Sequence, residues 1–119
     1  MDEHAAREFR RSRLDLLRFL ASPAAQRQFE VDVPRYDGYA YSEFVSWWGD
    51  DFHPDSLLFR AAFTIQEISF LSAFNATFEH ALLTVDEAEP RVDTLLCLKE
   101  WQDVIAAATE TLGQIACEP

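Results

Sequence analysis

Glycine is nearly missing from this chain: three occur in 119 residues. That scarcity argues against Gly-rich loops whose backbone amides cradle a phosphate. Cysteine is rarer still, with only Cys97 and Cys117. Two cysteines cannot build a disulfide scaffold, and they lack the C-x-x-C spacing of a zinc site or redox pair, so two reduced cytosolic thiols are expected. No apolar run reaches the ~18–20 residues that a membrane span needs. The opening Met-Asp-Glu-His-Ala-Ala-Arg-Glu-Phe-Arg is charged throughout and has no apolar core, so it does not read as a secretory signal. There is no G-x-S-x-G elbow and no H-E-x-x-H pair. Lysine occurs once, at Lys99, against nine arginines, and with abundant alanine this is the usage of a GC-rich bacterial genome.

Aromatic and acidic residues are plentiful. Ten Phe, three Trp and three Tyr within a 49% hydrophobic composition are ample for a core. One domain over 1–119 is expected, since domains most often run to roughly 100–150 residues. The formal net charge is -11, unevenly spread. Residues 1–21 hold five Arg against four acids, residues 22–60 three Arg against seven, and residues 61–119 only Arg91 and Lys99 against ten. Such a field repels nucleic acid, attracts basic surfaces and opposes self-association, so a free monomer is expected.

Apolar periodicity predicts an all-α fold: a single-domain bundle of about five helices with an irregular Tyr-rich loop. Residues 2–21 form one helix, with Phe9, Leu16, Leu17 and Leu20 on its apolar face and Arg7, Arg11, Asp15 and Arg18 opposite. The arginines read as a solvated face with local acidic partners. Ser22-Pro23 restarts a helix to about Glu30. Pro34 and Asp37-Gly38 predict a loop over 33–41, after which Ser42 caps a helix closing near Gly49. His53-Pro54-Asp55-Ser56 leads into a helix capped by Asp55 or Ser56. Thr64 followed by Glu67 is a capping box, with Phe63 and Ile68 placed as a hydrophobic staple, and that helix runs to about Leu83. Glu67 falls on the apolar arc, which suits a structural carboxylate rather than a catalytic one. Residues 92–97 are read as a short turn of helix and 99–115 as an amphipathic helix with Trp101, Val104, Ala108 and Ile115 inward.

Few residues invite chemistry. Asp50, Asp51, His53 and Asp55 are the densest set of potential metal ligands, yet they lack the glycine and terminal Glu of a calcium-binding loop, and no metal or cofactor is expected. Glu79 and His80 are adjacent and point about 100 degrees apart on a helix, so they are no acid–base pair. Tyr36, Tyr39 and Tyr41 crowd a segment flanked by Asp37 and Glu43. Tyrosine is suited to interface hot spots and neighbouring carboxylates to a basic partner; equally, these rings can cover the edge of the core.

Several stretches give the chain a resemblance to the small acidic immunity proteins of bacterial polymorphic-toxin and contact-dependent growth inhibition systems. They are Trp47-Trp48-Gly49-Asp50-Asp51-Phe52-His53-Pro54-Asp55, Leu58 to Glu67, Phe74-Asn75-Ala76-Thr77-Phe78 and Glu100-Trp101-Gln102-Asp103-Val104, within a likeness over roughly 22–115. The resemblance implies binding and blocking of one cognate toxin, often a nuclease with a basic cleft. In the colicin-type immunity proteins an adjacent tyrosine pair and nearby acids anchor the toxin; here Tyr39 and Tyr41 are separated by Ala40.

The expectation is therefore a cytoplasmic, non-enzymatic inhibitor. Tyr36, Tyr39 and Tyr41 act as anchors, and Asp37, Glu43, Asp50, Asp51 and Asp55 as electrostatic contacts, with Asp86, Glu87 and Glu89 as a further patch. The alternatives are a secretion chaperone or adaptor that binds an apolar segment, and a metal-dependent enzyme built on Asp50, Asp51, His53 and Asp55.

Overall fold

Where helices stop is the main architectural question in a chain with so little glycine. The computed structural model describes residues 2–33, 36, 38–85 and 90–115. Among them are seven helices and no strand: α1 (Glu3–Leu20), α2 (Pro23–Asp32), α3 (Tyr39–Gly49), α4 (Leu57–Ala62), α5 (Ile65–Val85), α6 (Val92–Cys97) and α7 (Lys99–Ile115). The fold is all-α as expected. The count exceeds five because the helix expected after Asp55 or Ser56 and the short turn expected over 92–97 are each a separate six-residue helix.

Local chemistry sets most starts. Ser22 Oγ accepts the Ala25 N–H at 3.1 Å, with Pro23 at the first helical position. Ser56, not Asp55, caps α4 by accepting the Phe59 N–H at 3.1 Å. The Thr64–Glu67 box closes reciprocally: Glu67 N–H donates to Thr64 Oγ1 at 3.1 Å, and Thr64 N–H donates to Glu67 Oε1 at 2.9 Å. One start differs from expectation. α3 begins at Tyr39, not at Ser42, because Gly38 sits in the left-handed region (φ 87) and turns the chain one helical turn earlier.

The ends are held differently. Among the described glycines only Gly38, the N-cap of α3, has a positive φ, so no described helix ends on a left-handed glycine. Side chains from elsewhere take the orphan carbonyls instead. Arg13 donates to Trp47 O at 2.7 Å and Trp48 O at 3.0 Å, ending α3. Arg10 donates to Ala62 O at 3.0 Å, ending α4. Gln26 donates to Leu20 O at 3.0 Å, ending α1. Gln102 donates to Leu96 O at 2.6 Å near the end of α6.

These clamps surround an aromatic core. Trp48, Trp101, Phe44, Phe59, Phe74 and Phe78 are fully buried. Trp48 lies edge-on to Phe74 with ring centroids 4.8 Å apart, and Trp101 packs against Phe78 at 6.0 Å. The Trp101 indole N–H donates to Gln26 Oε1 at 2.9 Å, so the one polar atom of that ring is satisfied inside the core. α5 and α7 pack along one another, and α1 lies across α4 and α7.

Candidate functional site

The sequence-derived candidates sort along α3 and the turn that follows it. Tyr36 is 65% exposed, and its ring meets Tyr39 edge-on at 5.4 Å. Tyr39 and Glu43 are half-buried, one helical turn apart, and Ser46 and Asp50 are exposed further along. Positions 39, 43, 46 and 50 fall on one stripe of the helix, so Tyr39, Glu43 and Asp50 share a face about 16 Å long. Tyr41 does not join them. It is 3% exposed, with its ring edge-on to Trp101 at 6.0 Å. The expectation of Tyr41 as a surface anchor is corrected by its helical position: 41, 44 and 48 form the inward stripe with Phe44 and Trp48. Asp37, Asp86, Glu87 and Glu89 lie outside the described residues.

The acids of the 50–55 turn face outward rather than toward one another. Asp51, 69% exposed, stands 3.7 Å from the Arg13 guanidinium. Asp55, 98% exposed, stands 3.7 Å from Arg60. His53 Nε2–H donates to the Asp50 backbone carbonyl at 2.9 Å, which commits the imidazole to the turn. Among the described residues no three His, Cys, Asp or Glu side chains converge as metal ligands. The arrangement therefore presents separate carboxylates to solvent.

Two buried charges escaped sequence reasoning in part. Arg13 is 4% exposed; burial lowers its pKa, opposed by the Asp51 carboxylate, and the guanidinium still stays protonated at physiological pH. Glu67, expected to be structural, is fully buried and is gripped by Arg10 through two parallel bonds of 2.8 Å. The partner was the unforeseen part. A signal was present: positions 6, 10, 13, 17 and 20 fall on one helical stripe, so Arg10 and Arg13 lie in register with Ala6, Leu17 and Leu20.

No described helix is long and apolar enough to cross a membrane. Comparison with protein-family models, with curated proteins and with solved structures finds no match to this chain.

Proposed function

We propose that this protein works by binding, as a non-enzymatic inhibitor that neutralises a protein partner with a basic surface, in the manner of an immunity protein facing its cognate toxin. One observation carries the reading. Arg13 and Glu67 are the only buried charged side chains among the described residues, and they are opposite in sign. Among the described residues burial therefore leaves the acidic surplus undiminished, and that surplus is open to a partner. The Tyr36–Tyr39 ring pair beside Glu43 and Asp50 supplies contact area next to that charge. The carboxylates would steer a cationic cleft into place and exclude its substrate by sterics and charge.

Co-expression with the C-terminal domain of a toxin encoded beside this gene is the direct test. Rescue of growth and co-purification are the expected results, with an association rate falling at least several-fold as salt is raised toward 0.5 M. Absence of both rescue and co-purification sinks the reading. A rate indifferent to salt removes its electrostatic part.

A further inference from the structure

A hollow of about 670 Å³ opens between the 50–55 turn and the first turn of α5. Its wall is apolar, made by Pro54, Phe63, Ile65 and Ile68, and Asp55 and Arg60 stand on its rim. Ile65, part of that wall, is 90% exposed. A large aliphatic side chain in water beside an apolar wall is an unfavourable arrangement that a covering partner would relieve. The wall is also prebuilt. The Thr64–Glu67 box fixes the start of α5, and the Arg10 guanidinium sits 5.1 Å from the centre of the Phe63 ring. A site already in its binding shape loses little ordering entropy when it is occupied.

The charge around the hollow selects the occupant. Asp50, Asp51 and Asp55 are exposed on the adjoining turn, against the exposed cation Arg60; Arg10, partly exposed over Phe63, is offset by its pairing with Glu67. The Arg13 that faces Asp51 is buried. A second copy of this chain would bring the same carboxylates and another -11 to the contact, so charge disfavours it. Resting on the basic-partner reading above, we propose that this hollow receives an aliphatic side chain from a basic segment of the partner, with lysine or arginine on either side of it. An apolar centre within a charged rim is the usual anatomy of a protein–protein anchor point.

The test is an amide-shift titration of the full ¹⁵N-labelled chain with three blocked peptides: Arg-Lys-Leu-Leu-Arg-Lys, Arg-Lys-Gly-Gly-Arg-Lys and Glu-Glu-Leu-Leu-Glu-Glu. The first should shift the Ile65, Ile68 and Ser72 amides saturably and bind at least tenfold more tightly than the other two. Ile65→Glu should abolish this binding although it adds a carboxylate. Position 65 is exposed at a helix start, where an acid is favourable, so the variant keeps its fold. Equal binding of the glycine peptide would overturn the proposal in favour of charge alone. Equal binding of the acidic peptide would overturn it in favour of an apolar adaptor site. Shifts confined to Tyr39 and Glu43 would remove the hollow and leave the basic-partner reading standing. Silence from both cationic peptides also overturns the hollow, while the toxin co-expression assay decides the broader reading independently.

Discussion

Glu67 shows how one side chain can serve two helices. Its Oε1 accepts the Thr64 N–H at 2.9 Å to start α5, and both its oxygens hold Arg10, which in turn closes α4 at Ala62 O. Removing it strands a guanidinium and two helix ends together. Glu67→Ala is expected to destabilise the protein by about 3–5 kcal/mol, the range for breaking a buried ion pair by deleting one partner. Glu67→Gln keeps an oxygen for Thr64 and should cost less, and urea unfolding of the two variants would rank them. Tyr41 teaches a related lesson. Read as part of a loop over 33–41, Tyr41 can reach the surface; with the helix starting at Tyr39, it turns inward beside Phe44.

At the level of the element, legibility followed sequence distance. The α5 box was readable because its two residues are three apart, and the Ser22 cap because Pro23 follows it directly. The start of α3 was not, since Ser42 is a plausible cap and the decisive feature is the backbone angle of Gly38. Gly38→Ala tests that account. An L-residue in the left-handed region costs about 1–2 kcal/mol, so the variant should melt several degrees lower than the parent in a thermal scan. The candidate site divides in the same way. The Asp50–Asp55 turn was found as a run of letters, but the hollow beside it was not, because Pro54, Phe63 and Ile68 are brought together only by the folding of the chain across α4. The face shared by Tyr39, Glu43 and Asp50 depended on the correct helix start for the same reason.

For the whole molecule, the scarcity of glycine has a consequence for motion. Helix ends ordinarily fray, opening at little free-energy cost while the core stays shut. Here Arg13 reaches 34 and 35 residues along the chain to end α3, Arg10 reaches 52 to end α4, and Trp101 fastens the Gln26 clamp on α1 from 75 residues away. These ends cannot loosen without parting tertiary contacts. Amide hydrogen exchange should register this as slow exchange in the last turn of α3, at Trp48 and Gly49, with protection close to that of Phe74 and Phe78 in the middle of α5. Fast exchange there would mean that the Arg13 clamp opens locally. Slow exchange would mean that the last turn of α3 opens together with the core.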